Sequence, residues 1–388
     1  MEKDKSTNKY LICGYSPELS GGVPRLMDYI IPRAKKAGYI YISFTKEKSF
    51  KYFLNEKQYF QIILEIIKRC INYLKLYIKS RIINNSTILF IHPQKSGFRN
   101  LFYLSKRNKV FLYVVDNSFF CIRSYNIDPS SRLECLNCLG NIGNIFEGCK
   151  SFPIKMTINR NLNYLNKLKE ISDNIVFLLQ NKNQEFLVKN HFGDNTNCQI
   201  VGLNTGEIMA PYPIDLYNKK NKEFIVYHGS MEDAKGFRLF LNIAVKLENY
   251  NFFFPYSKFE VEKKIGSSII SKNITFEKCT WETGLKELVC DAIIVMNPTL
   301  WSAPIEGALL KSIFYNGFVA TVETINGFES ELKEYSCIVR LNVNPSLAAN
   351  QLEESIKKKK ALKNISDLNA LKIRLGEMNS KNIFEMMK

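Results

Sequence analysis

Two hydrophobic patterns alternate along the 388-residue chain: short apolar runs suited to buried strands, and longer stretches with apolar positions at helical spacing. The runs fall at residues 10–13, 40–44, 87–91, 110–115 and 174–178, then at 224–227, 252–254, 274–276, 292–295 and 318–320. Helical spacing follows the first run, with Leu26, Tyr29 and Ile30 facing inward, and recurs at 58–79, 158–171, 236–247, 258–265, 283–289 and from Leu347 onward. Strand and helix in regular turn predict parallel sheets covered by helices. Residues 204–221, with Pro211, Pro213 and a Lys-Lys-Asn-Lys run, interrupt the periodicity. The expected fold class is therefore α/β, with Rossmann-like parallel-sheet domains at 1–205 and 223–388, a linker at 206–222, and helices closing the second domain.

The stretch 58–79 has two readings. It sets Ile62, Ile63, Ile66, Ile67, Cys70, Leu74 and Tyr77 on one side, with Lys57, Lys68, Lys75 and Lys79 elsewhere. As a crossover helix its apolar face packs on a sheet; as a basic amphipathic helix it lies on an anionic membrane. The crossover is the simpler expectation.

Composition narrows the field. With 46% hydrophobic and 23% charged residues the chain can bury two cores. No window reaches the ~18 uncharged apolar residues of a spanning helix, and residues 1–9 are too polar for a secretory signal. A cytoplasmic protein is expected, with peripheral attachment at the inner face of the cell membrane as the alternative. The net charge of +17 calls for an anionic partner, whether lipid, nucleic acid or a phosphorylated substrate. His92, His191 and His228 are scattered, which suits structural roles. Cys13, Cys70 and Cys290 have apolar neighbours and are expected in the core.

The segment 291–321, DAIIVMNPTLWSAPIEGALLKSIFYNGFVAT, is the most informative stretch. A buried strand leads through a Pro/Trp loop to a helix with Pro304 in its first turn and Glu306 at its start. Amides at such a start attract anions, and a carboxylate beside them can hold a sugar hydroxyl. Glu306 could equally do no more than complement the helix dipole. At the other end of the chain, Gly21 and Gly22 form either a phosphate-facing turn or a plain strand-to-helix turn. Asp116 follows a strand at its carboxyl end, where ligands of open parallel sheets gather; a loop cap is its bland alternative.

From 119 to 153 the chain turns irregular, with four cysteines inside 29 residues. Cys135-Leu-Asn-Cys138 makes a knuckle that Cys121 and Cys149 could complete as a tetrahedral thiolate set. A structural zinc is the first reading, and reduced or redox-active thiols the second.

With YHGSMEDAKGF opening the second unit and APIEGALLKS closing it, the chain resembles the nucleotide-sugar glycosyltransferases of the GT-B fold, whose two domains face each other across a cleft. The resemblance implies that Gly229 and Lys235-Gly236 form the donor loop, with Lys235 against the diphosphate. It also implies that Glu306, the second glutamate of the retaining members' Glu-x7-Glu, binds the ribose. Pro298 stands in the place of the first glutamate, which leaves the transferred sugar to Ser302, Ala303 and nearby backbone, including that of Pro304. Gly21-Gly22 match the first-domain glycine loop. Asp116 stands alone where relatives carry a His-Asp pair, and a cysteine-rich insertion comes after that point in bacterial polysaccharide enzymes.

The activity that the resemblance implies is transfer of a sugar from a nucleotide diphosphate to a hydroxyl of a bacterial surface glycan of capsule, O-antigen or lipooligosaccharide type, with retention. Asp116, Lys235 and Glu306 carry the chemistry, and no catalytic divalent ion is expected. The acceptor is a glycan or a lipid-linked glycan, and nucleic acid is not an expected partner. Two other readings remain: a zinc-stapled basic nucleic-acid-binding protein, which needs basic residues gathered on one face with aromatic platforms, and a nucleotide-sugar isomerase on the same fold.

Overall fold

The protein is described by a computed structural model over residues 8–15, 21–42, 50–152, 154–206, 223–358 and 365–387. The strands are β1 (Lys9–Cys13), β2 (Tyr39–Ile42), β3 (Thr87–Ile91), β4 (Lys109–Tyr113), β5 (Ile175–Leu179), β6 (Cys198–Ile200), β7 (Phe224–Tyr227), β8 (Asn251–Phe254), β9 (Ile274–Phe276), β10 (Ile294–Asn297), β11 (Val319–Val322) and β12 (Ile338–Leu341). They form two six-stranded sheets, in the orders β2-β1-β3-β4-β5-β6 and β12-β11-β10-β7-β8-β9. Every pairing among them is parallel. The alternating apolar runs thus became the two sheets they predicted. The linker expected at 206–222 lies outside the described residues except for Gly206.

The α-helices are α1 (Gly22–Lys36), α2 (Phe50–Asn55), α3 (Tyr59–Ile82), α4 (Pro93–Ser96), α5 (Phe98–Ser105), α6 (Ile158–Glu170), α7 (Lys182–Phe192), α8 (Phe237–Lys246), α9 (Lys258–Ile265), α10 (Lys286–Asp291), α11 (Gly307–Tyr315), α12 (Pro345–Lys357), α13 (Ile365–Ser380) and α14 (Ile383–Met386). Local chemistry explains their ends. Asn181 caps α7 by accepting from the Gln184 amide at 2.8 Å, and Ser257 with Glu260 closes a capping box on α9, which stops at Gly266 in a left-handed conformation.

In the second sheet the order reverses between β7 and β10, and this crevice at the carboxyl ends of the strands is where open α/β sheets bind ligands. Tyr227 and Met296 stand opposite each other in the β7–β10 register, so the loops that follow the two strands start side by side. Residues 114–157 carry no regular element among those described beyond an isolated bridge between Ile127 and Glu134. This segment drops Phe119, Phe120, Ile122 and Ile142 into the first core, and Tyr125 and Ile127 against Ala234, Trp301 and Ala303 of the second sheet's loops. The chain ends where it began: Ile383, Phe384 and Met387 pack with Leu11, Met27 and Tyr39.

Several expectations are corrected. The helix expected to open at Pro304 begins at Gly307, with Pro304 buried in the preceding loop. The strand placed at 292–295 is β10, two residues later. The helix at 283–289 is a kinked turn, with Gly284 at φ 114, that leads into α10. Cys70 is exposed and not in the core. The largest departure is α3, which does not lay its apolar side on the sheet. It packs against α5 and buries Glu65, Asn72, Leu76 and Ser80, leaving the isoleucines in solvent.

Candidate active site

The turn after β7 and the loop after β10 interlock at the switch point. Residues 233–235 wind into one short helical turn that Gly236 ends at φ 67, a left-handed conformation that glycine accepts without strain. A Cβ on Gly236 would come within 1.8 Å of the Pro298 carbonyl oxygen, so the two loops touch only because glycine stands there. The Leu300 amide donates to the Ala234 carbonyl at 2.9 Å and locks them.

This docking brings Lys235 to Glu306. Lys235 Nζ lies 2.5 Å from Glu306 Oε1, and the Trp301 indole N–H donates to the same oxygen at 3.2 Å. The ammonium lies over the rings of Tyr125 and Trp301, 5.0 and 4.9 Å from their centroids. Burial works against the charged lysine, but Glu306, Tyr125 and Asp116 together more than offset it, and the Lys235 pKa stands above the ordinary value. Glu306 occupies the N-cap of α11 but makes no side-chain cap bond, so its carboxylate faces the lysine and not its own helix. At the N-cap that carboxylate also lies at the positive end of the helix dipole.

Asp116, just beyond β4, is buried and accepts from the Ser118 amide at 2.9 Å. Its charge reaches both Lys235 and Tyr125, which puts the three expected catalytic residues in one neighbourhood. A histidine that follows the neighbouring strand lies near it. His92 follows β3, burial pulls its pKa down, and the Asp116 carboxylate works in the opposite direction. β3 and β4 pair in register from Thr87–Lys109 to Ile91–Tyr113, so residues just after each strand become neighbours.

Ser302 and Ala303 hold the domains together. The Asn117 side-chain amide donates to the Ser302 carbonyl at 2.8 Å, that of Asn126 donates to Ser302 Oγ at 2.8 Å, and Ser302 Oγ donates to Glu134 at 2.5 Å. Glu134 also accepts the Ile325 and Asn326 amides at 2.5 and 3.0 Å. The Ala303 carbonyl accepts the Phe328 amide. Gly229 has its carbonyl taken by the Tyr256 hydroxyl at 3.2 Å. Gly21, at φ 124, precedes α1, and a Cβ on Gly22 would meet no described atom within 4 Å.

Beneath the pair lies a second layer that patterning did not show. His228 stacks on Trp281 at an interplanar angle of 8°, and its Nδ1 is 2.9 Å from Ser312 Oγ. Burial, together with Lys311 and Arg25, drives its pKa down to about 3, so it is neutral. Lys311, buried one turn into α11, sits 4.5 Å over the Trp281 ring. Glu329 is fully buried, bonded to Thr324, and pushed up to about 8 by burial. On the first-domain side a cavity of about 270 Å³ opens beside α3, α4 and α5, with Arg69, Lys95, Arg99 and Arg160 in its wall.

Burial holds the thiols of Cys121, Cys135 and Cys138 above the usual range, and Cys149 lies near enough to all three to push them the same way. Among the described residues, no three histidines, cysteines or carboxylates are placed to hold a metal ion. The donor chemistry suits zinc, whereas the spacing of the side chains does not.

The same two-sheet arrangement occurs in solved glycosyltransferases. Anabaena HepE with UDP and glucose superposes with a TM-score of 0.59 at 12% identity, covering 96% of this chain and 97% of that one. The sucrose-phosphate synthase of Thermosynechococcus elongatus gives 0.59 at 9%, over 96% and 98%. A trehalose-6-phosphate synthase studied for glycosyl transfer with retention gives 0.55 at 9%, over 96% and 97%. The chain has the GT-B fold. By sequence, no family model matches it and a search of curated proteins finds no match.

Proposed function

We propose that this GT-B protein transfers a sugar from a nucleotide diphosphate donor to a hydroxyl of a bacterial surface glycan of capsule, O-antigen or lipooligosaccharide type, with retention at the anomeric carbon. The observation that carries the proposal is the meeting of Lys235 and Glu306 at the β7–β10 switch point. The Lys235 ammonium and the amides at the start of α11 offset the charge that grows on the diphosphate as the bond from C1 to oxygen breaks. That duty calls for no catalytic divalent ion. The departing diphosphate takes the bonding electrons, the acceptor oxygen bonds to C1 on the same face, and the acceptor hydroxyl's proton passes to the departing phosphate oxygen. Glu306 takes the ribose hydroxyls, with Ser302, Ala303 and Pro304 backbone near the sugar; Gly229 and Gly236 keep their loops close, and Gly21 and Gly22 leave room for the donor. Asp116, whose charge reaches Lys235, is assigned to the acceptor. In the structure the lysine and glutamate satisfy each other, so a donor exchanges partners within a paired site and uncovers no isolated charge.

Support for retention is the likeness to a synthase that works with retention. Support for a lipid-linked acceptor, met at the inner face of the membrane by a cytoplasmic enzyme, is the cationic cavity beside α3, α4 and α5. UDP is the first nucleotide to test, because HepE is solved with UDP and with UDP-glucose. Thermal denaturation with UDP, GDP, ADP and CDP, followed by sugar transfer to extracted lipid-linked glycans, tests the reading. One nucleotide should stabilise the chain by about 2.7 kcal/mol at a hundredfold excess over its Kd, and no response to any of the four would sink it.

A structural zinc on Cys121, Cys135, Cys138 and Cys149 is a separate proposal, supported by the donor chemistry of four thiols in one segment alone, since their side chains would have to draw together to hold the ion. Elemental analysis should give about one zinc per chain; a value near zero removes the proposal.

A further inference from the structure

The helix α3 carries its surface inside out. Of the four residues it buries, Glu65, Asn72 and Ser80 are polar, whereas Ile63, Ile67, Ile71, Leu74, Ile78 and Ile82 are each 47–69% exposed. Steps of four, four, three, four and four residues keep these six on one face, a stripe about 28 Å long at ~1.5 Å per residue. Tyr59, Phe60 and Tyr73 are exposed beside it. A soluble helix normally presents the reverse arrangement, and an apolar stripe of this length on an outer surface marks an interaction site.

Charge identifies the partner. The 24 residues of α3 include five basic side chains and a single acid, Glu65, which is buried and paired with Lys68 and Arg69. Lys68, Lys75 and Lys79, seven and four residues apart, line one edge of the stripe. At its carboxyl end a cavity of about 280 Å³ is walled by Arg81, Arg99, Lys106 and Lys167 with aromatic rings and no carboxylate. Arg81 lies flat on Tyr77 and Tyr103, 3.5 and 4.2 Å from their centroids, and its buried Nη1 has no hydrogen-bond partner. Among the described residues no helix is long and apolar enough to cross a membrane, so α3 would meet a bilayer by lying along its surface.

We propose that α3 docks the protein on an anionic phospholipid bilayer, with the isoleucine stripe among the acyl chains and the four-cation cavity around a lipid phosphate. A second copy of the chain fits the face poorly, because pairing two stripes would bring basic edges together on a molecule already at +17. The inference goes beyond the transferase reading and stands apart from it, since none of these residues belongs to the Lys235–Glu306 site.

Vesicle co-sedimentation of the full chain tests it. The protein should pellet with vesicles of phosphatidylcholine and phosphatidylglycerol, stay in solution with phosphatidylcholine alone, and be released by salt. The variant Ile67→Glu/Ile71→Glu/Ile78→Glu alters only exposed positions, so its thermal midpoint should hold while vesicle binding falls at least about tenfold. Arg81→Ala/Lys106→Ala should weaken binding to the anionic vesicles, whereas inorganic phosphate at millimolar level should not displace the protein. Failure of the wild type to bind, unchanged binding by the triple glutamate variant, or a dimer that this variant turns into monomer would each overturn the proposal. Nucleotide binding by the same variants, measured alongside, reports on the transfer site independently.

Discussion

Replacing Lys235 by methionine removes the ammonium but leaves an unbranched stem between Tyr125 and Trp301, so packing changes little and the charge dominates the outcome. The lysine and Glu306 side chains are only 15% and 12% exposed and touch at 2.5 Å. Losing one partner of a buried pair costs ~3–5 kcal/mol, and the remaining exposure together with the Trp301 N–H bond lowers this to about 2.5. Glu306→Gln, which keeps an acceptor for Trp301, should cost about 2 kcal/mol by the same reasoning. The double variant leaves no stranded charge and should cost only about 1.5, giving a coupling near 3 kcal/mol. Function should not recover with stability, because a diphosphate meets no cation in the double variant. Urea denaturation followed by circular dichroism gives the first quantity and calorimetric titration with UDP the second. Stabilities that add to within ~0.5 kcal/mol, or a double variant that regains nucleotide affinity, would refute the reasoning.

Gly236→Ala must place a methyl where the Pro298 carbonyl lies and hold a left-handed backbone, and should lose about 3 kcal/mol or more, read from the urea midpoint. Glu329 gives a signed pH effect. Its carboxyl is favoured protonated in the fold, at about 8 against 4.5, so the stability it lends at low pH is lost between about pH 4.5 and 8. Glu329→Gln should therefore gain on the native chain across that range, and a constant difference would show that the group is already ionised. Ser302→Ala removes the hydroxyl shared by Asn126 and Glu134; the expected result is a looser cleft, seen as faster amide exchange at residues 325–327, with the thermal midpoint of the second core little changed.

Strand positions were legible because a buried parallel sheet needs continuous apolar runs, and the runs around 87–91 and 224–227 admit little else. The short outer strands β6 and β12 passed unseen, the first being only three half-buried residues long. Lys235 and Glu306 could be named because each sits in a local motif beside its own strand. The residues around them could not. His92 reaches Asp116 only through the β3–β4 register, and Glu134 reaches Ser302 across 168 positions from inside a cysteine-rich stretch that drew attention to its thiols. The amphipathic period of α3 was plain in the sequence. Which side faced inward was not, because periodicity identifies a face without saying what covers it.

The placement of α14 has a mechanical consequence. The backbone passes from the first sheet to the second after Gly206 and returns before Ile383, where the Phe384 ring lies tilted 5.0 Å from that of Tyr39 and Lys381 donates to the Ile200 carbonyl. A body tethered at two points can swing only about the line between them, as a door does on a pair of pins. Any swing of one sheet against the other would then be largely one-dimensional and would carry Lys235 to and from Tyr125 along one path.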